Sequence, residues 1–231
     1  MPSFSIRRAG QTVELVFDDG GMNLLSSAAL LELHSSIAAI DPNVRVLALK
    51  SGRPEVFAAG ADMEEMKDFS RSQAVNFSRT GQEAFDAISR LPMITVAIIN
   101  GPCFGGALDL AMAFDLRWCS AQSVFSHPGA RLGIITGFGG TSRWRRVLSR
   151  KAATTLFLEN SVLDASDARA MGLVDEVLSP VDSSAALIDD LLSVSPSRVA
   201  FIKELARHSE GLSPVALNHL AVRLSQLHGE G

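Results

Sequence analysis

The 231-residue chain contains no tyrosine at all, which excludes any mechanism that relies on a phenolic acid or base. Its two cysteines, Cys103 and Cys119, are too few for a disulfide framework or a thiolate metal site, and read as free thiols. There is no basic excess. The 21 Lys plus Arg stand against 25 Asp plus Glu, a net charge of -4, so the electrostatic footprint of a nucleic-acid binder is missing. No long apolar run survives inspection either. The longest, Met93 to Phe114, is interrupted by Asn100, Gly101, Pro102, Gly105, Gly106 and Asp109, which disqualifies it as a membrane span. The opening MPSFSIRRAGQTVELVF has no apolar stretch of signal-peptide length, and the expectation is a cytoplasmic protein without a membrane partner. Neither a metal-ligand cluster nor a complete G-x-G-x-x-G after a strand is present, so no metal and no redox cofactor is expected.

What remains is ordinary globular composition, 47% hydrophobic and 20% charged, long enough to bury a real core. Phe4 to Arg8 and Thr12 to Phe17, with Gly10-Gln11 between them, read as a hairpin. Leu30, Leu33, Ile37 and Ile40 share one helix face between Ser26 and Ile40, and Asp41-Pro42 ends that helix. Val44 to Leu49 and Met93 to Ile99 are apolar runs of the kind buried strands show, and Asp115 to Cys119 reads as a third. Helices are expected at Asp62 to Lys67, Ser72 to Arg90 and Ala107 to Phe114. The stretch Leu178 to Ser184 marks a change to wholly helical patterns, which places a domain boundary between an α/β core, 1–180, and a helical region, 181–231. In that region Leu217, Leu220, Leu224 and Leu227 form a stripe suited to a contact.

Two small-residue turns follow buried strands: Phe57-Ala-Ala-Gly-Ala-Asp62 and Gly101-Pro-Cys-Phe-Gly-Gly106. Small side chains let a ligand approach the main chain, and N–H groups at a helix start point outward with the positive end of the dipole behind them. Facing each other, the two turns make an oxyanion hole. Taken alone, either turn also fits simple close packing of helix on strand.

These stretches resemble the enoyl-CoA hydratase/isomerase family, the crotonases. The likeness continues through Phe125-Ser-His-Pro128, Leu132-Gly133, Gly137-Phe-Gly-Gly-Thr141 with Arg143, and Gly172-Leu-Val-Asp-Glu-Val177. It implies a spiral of β-β-α repeats, assembled as a homotrimer or a hexamer of two trimers, acting on an acyl-CoA thioester with no separate cofactor. By the same resemblance the N–H groups of Ala61 and Gly106 hold the thioester oxygen. Ala59, Gly60, Asp62, Met63, Gly105, Pro128, Gly129 and Gly137 line the substrate site. Hydratases of the family use two carboxylates. Asp109 occupies the first position, while Gly129 stands in the second. Asp109 is then the acid/base group for hydration or double-bond isomerisation, with His127 as a possible substitute for the missing acid. One-carboxylate alternatives are decarboxylase or lyase chemistry, or a non-catalytic acyl-CoA binder. Gly101-Pro-Cys-Phe-Gly105 also has the form of a hydrolase elbow with Cys103 as nucleophile. Lys67, Arg71 and Arg53 are the nearby cations for CoA phosphates.

Overall fold

The computed structural model describes residues 3–180 and 183–208, together with 216 and 222. β1 (Phe4–Ala9) and β2 (Thr12–Phe17) form the expected antiparallel hairpin, turning at Gly10 with φ of +61°. After β3 (Leu24–Leu25), α1 (Ser27–Ala38) is capped by Ser26, whose side chain accepts from the Ala29 N–H. It buries Leu30, Leu33 and Ile37 on the face the spacing predicts. β4 (Val46–Ser51) begins two residues later than Val44, because the Asp41-Pro42 turn continues through Val44 N–H to Asp41 O.

β5 (Gly60–Ala61) leads into the single turn α2 (Met63–Met66) and then α3 (Arg71–Arg90), which starts in a Ser70/Gln73 capping box. β6 (Ile94–Ile99) runs into β7 (Cys103–Phe104) and α4 (Gly106–Ala111). The expected helix to Phe114 stops three residues early. β8 (Leu116–Ser120), β9 (Val124–Ser126), a 3-10 helix at Pro128–Leu132, α5 (Gly140–Val147) and α6 (Arg150–Phe157) follow. β10 (Leu163–Asp164), α7 (Ala165–Ala170), β11 (Glu176–Leu178), α8 (Ser184–Leu192) and α9 (Pro196–His208) complete the described chain.

The main sheet has the order β1-β2-β4-β6-β8-β11 and is parallel from β2 onward. Its central strands are apolar on both faces, which is why their sequences read as continuous runs. Leu47, Leu49, Ala97, Ile99 and Cys119 point to the larger core with α1 and α3, while Val46, Ala48, Val96, Ile98 and Trp118 point to a smaller one that Ile188 of α8 joins. Two small sheets, β3-β5 and β10-β9-β7, stand off this platform and carry the two small-residue turns. The leucine stripe at 217, 220, 224 and 227 lies outside the described residues.

Candidate active site

Strand pairing brings the two turns together. Ala58 bridges Cys103 in parallel, and Phe104 N–H donates to Ala58 O at 3.1 Å. In the β3-β5 ladder it is Asp62 N–H that donates to Leu25 O, at 3.2 Å. The Ala61 nitrogen lies beside α4, 3.5 Å from where a Cβ on Gly106 would sit. Gly106 is the first helical residue of α4, where an N–H has no acceptor within its own helix. The approach is tight: a Cβ on Gly60 would lie 2.6 Å from Phe104 O and 3.2 Å from Gly106 N, and Gly60 has φ of +98°. Only glycine fits there.

Ala61 and Gly106 both line a cavity of about 320 Å³. Ala59, Gly60, Ala61, Met63, Gly105, Gly106, Asp109, His127, Pro128, Gly129 and Gly137 all line it. Asp62 does not. Its carboxylate is turned away to cap α2, accepting from the N–H groups of Glu64 and Glu65, so its assignment to the substrate wall is corrected to a helix cap. Lys67, Arg71 and Arg53 also stand outside the wall, and Lys67 is held by Glu64 at 2.5 Å.

Asp109, in the first turn of α4, is the one carboxylate lining the cavity among the described residues and is 1% exposed. Burial raises its pKa from 3.8 to about 7, against the opposing pull of a hydrogen bond from Thr136 and the charge of Arg143. The Thr136 hydroxyl donates to Oδ2, leaving Oδ1 without a partner. Facing Oδ1 at 3.7 Å is Nε2 of His127, which also lacks a partner. Burial lowers the His127 pKa, so its imidazole is neutral at pH 7. Its ring packs on Phe157, with centroids 4.8 Å apart. Packing and proximity to the acid thus coexist in one histidine.

Around this pair the sequence gives no sign of Thr136, and it offers Phe138 and Gly140 only as part of the Gly137–Thr141 stretch, with no role in the site. Gly140 opens α5 where a Cβ would collide with the Asp109 carboxylate, so the helix N-terminus can approach that acid only as glycine. Phe138 lies edge-on to Phe77 and Phe85 and forms a wall of the cavity. Arg143 donates to Phe138 O at 2.5 Å and to Asp86, tying the loop down. Gly129 needs no positive φ, yet a Cβ on it would lie 2.7 Å from the Ile134 carbonyl. A second carboxylate cannot be placed there without moving the 129–134 turn.

The elbow reading of Cys103 fails. The residue is in strand β7, fully buried, and desolvation pushes its thiol well above the usual range, so no thiolate nucleophile is offered. Among the described residues no cluster of three or more His, Cys, Asp or Glu could hold a metal, and no helix is long and apolar enough to cross a membrane.

The mainly parallel sheet with its two small satellite sheets, and Ala61 on β5 set beside Gly106 at the start of the buried helix α4, define an α/β protein of the crotonase class. The chain belongs to the enoyl-CoA hydratase/isomerase family, whose sequence profile matches residues 10–224. It is 35% identical over 161 residues to the crotonyl-CoA hydratase of Syntrophomonas wolfei, covering 69% of this chain and 62% of that protein. It is 31% identical over 188 residues to the short-chain-enoyl-CoA hydratase of Clostridium acetobutylicum, covering 79% and 72%. The chain therefore spans less than two thirds of the first relative's length. Among solved structures, the enoyl-CoA hydratase from Thermoplasma volcanium superposes with a TM-score of 0.93 over 98% of this chain and 92% of that one, at 24% identity, a likeness of fold alone.

Proposed function

We propose that the protein binds an enoyl-CoA thioester and stabilises its enolate, with the thioester oxygen between the Ala61 and Gly106 N–H groups and Asp109 moving the proton. The observation that carries this is a buried carboxylate, the only one lining the cavity among the described residues, beside the closely approaching backbones of Ala61 and Gly106. Fixed N–H groups stabilise the developing negative charge without supplying a competing acid. A pKa of about 7 leaves Asp109 populated in both forms at neutral pH, as a group that takes and then returns a proton requires.

Double-bond isomerisation is the reaction that one carboxylate completes. Ionised Asp109 takes the proton from the carbon next to the thioester carbonyl, the enolate forms, and the same carboxyl returns the proton two carbons further along as the double bond shifts. Hydration is the second reading, favoured by His127. Its neutral imidazole stands beside Asp109 and takes a proton from water as the water oxygen adds to the β-carbon, while protonated Asp109 delivers a proton to the α-carbon of the enolate. On the same reading, residues 1–180 form the catalytic core, and 181–231 cover the ligand and join copies into a trimer or hexamer.

A turnover screen with 3-enoyl-CoA, crotonyl-CoA and malonyl-type thioesters tests the assignment. Conversion of the first or second supports it. Turnover confined to the third moves the protein to decarboxylation, and no turnover with any of them overturns the enzymatic reading.

A further inference from the structure

A second cavity, of about 540 Å³, lies behind the segment that carries His127 and Thr136. It shares His127, Ile134, Ile135 and Thr136 with the first cavity, so the two spaces adjoin along these side chains. Ile135, in the lining of both, is 82% exposed. Trp144 and Phe157 give the second cavity a largely apolar wall. Arg145 of α5 and Arg150 of α6 are its charged members, and among the described residues no Asp or Glu lines it, in a chain whose acidic residues outnumber its basic ones by 25 to 21. Both arginines are exposed and have no ion pair among the described residues, unlike Arg117 and Arg143, which are committed to Asp175 and Asp86.

We propose that this cavity receives the far end of the acyl group and that Arg145 and Arg150 recognise a carboxylate there, making CoA thioesters of dicarboxylic enoyl acids the favoured substrates. The proposal rests on the reading of the first cavity as the thioester site. An apolar wall takes the methylene segment out of water, and guanidinium groups match a carboxylate in shape and charge. An apolar chain of equal length gains only the first contribution. With no acid in the wall, an incoming anion meets no repulsion.

Calorimetric binding of two non-reacting thioesters of equal chain length, hexanoyl-CoA and adipyl-CoA, separates the possibilities. Adipyl-CoA is expected to bind about tenfold tighter, the lower end for a hydrogen bond to a charged group. That ratio should collapse toward one in an Arg145→Gln/Arg150→Gln variant, which keeps polar side chains of similar length at both exposed positions. It should also shrink as salt is raised. Equal binding of the two thioesters by the unmodified protein overturns the carboxylate proposal and leaves the thioester site standing. A variant that loses affinity for both in equal proportion overturns it too, assigning the arginines to the CoA phosphates. Failure of either thioester to bind overturns the thioester site itself.

Discussion

Two buried ionic groups in this fold are treated in opposite ways. Arg117, 6% exposed on β8, has its guanidinium fully engaged. Nε donates to Leu173 O at 2.7 Å, Nη1 to Phe114 O at 2.9 Å and Nη2 to Asp175 at 3.0 Å. Asp109 and His127 are as deeply buried, yet each keeps an atom without a partner, and those atoms face each other into a cavity. A buried charge that serves only the fold is satisfied on every side, since an unmet polar atom is costly. One left unmet, with its pKa moved to the working range, is positioned to act on something that arrives.

The largest expected effect comes from removing the unmet acid. Asp109→Asn keeps shape and should lower kcat by roughly 10² to 10⁴ while thioester affinity stays nearly intact, because proton transfer is lost and packing is not. Steady-state kinetics with a binding titration reads both. The same change has a stability signature. Between the ordinary 3.8 of aspartate and about 7, the unfolded chain has released a proton that the folded chain still holds. Stability therefore falls as pH rises through that window and levels off above it. Chemical denaturation of Asp109→Asn between pH 4 and pH 7 should lack that component of the fall.

The satisfied group should respond in the other sense. Arg117→Met leaves the buried Leu173 and Phe114 carbonyls without their donor, while Asp175 keeps the backbone N–H of residue 117, and should cost on the order of 1 to 3 kcal/mol of stability per stranded carbonyl. Turnover per folded molecule should hardly change, which denaturation curves beside active-fraction assays would reveal. If instead stability held and turnover collapsed, the division between the two groups would be misdrawn.

Thr136 sharpens the comparison further. Its hydroxyl stabilises the charged form of Asp109, so Thr136→Val should push the acid above about 7 and move the rising limb of the pH-rate profile to higher pH. Thr136→Ser should restore it. Asp109 is also faced by Arg143 and His127, with Cys103 in its field, and these stay in place. The smallest effect belongs to Cys103. Thiol reagents applied to the folded protein should leave it unlabelled and turnover unchanged, whereas labelling with loss of activity would revive the elbow.

The platform and its strands were legible because burial on two faces writes long apolar runs, as in Ile94–Ile99, and caps such as Ser26 and Ser70 mark their helices. The burial of Asp109 could be read from its apolar neighbours on α4. The segment from Gly133 to Gly140 was not legible in the same way. It has no periodicity, and its contacts are made by packing across the chain: Thr136 to Asp109 over 27 positions, Ser78 to Gly137 over 59. Asp62 misled for a different reason, since a capping aspartate and a ligand-facing one look alike after a small-residue turn. Arg117, within an expected strand, gave no sign that its charge would be enclosed. That depends on Leu173 and Asp175, which fold back from more than 50 positions away.

Enolate formation lies beneath both isomerisation and hydration, and it can be observed without either. Incubating the protein with butyryl-CoA in deuterium oxide and following the α-carbon by proton NMR tests it directly. Deuterium should enter that position at a rate that rises with pH through about 7, and Asp109→Asn should abolish the exchange while still binding the thioester. Butyryl-CoA that binds and keeps its α-protons, or exchange that continues at full rate in Asp109→Asn, would contradict enolate formation with Asp109 as the base.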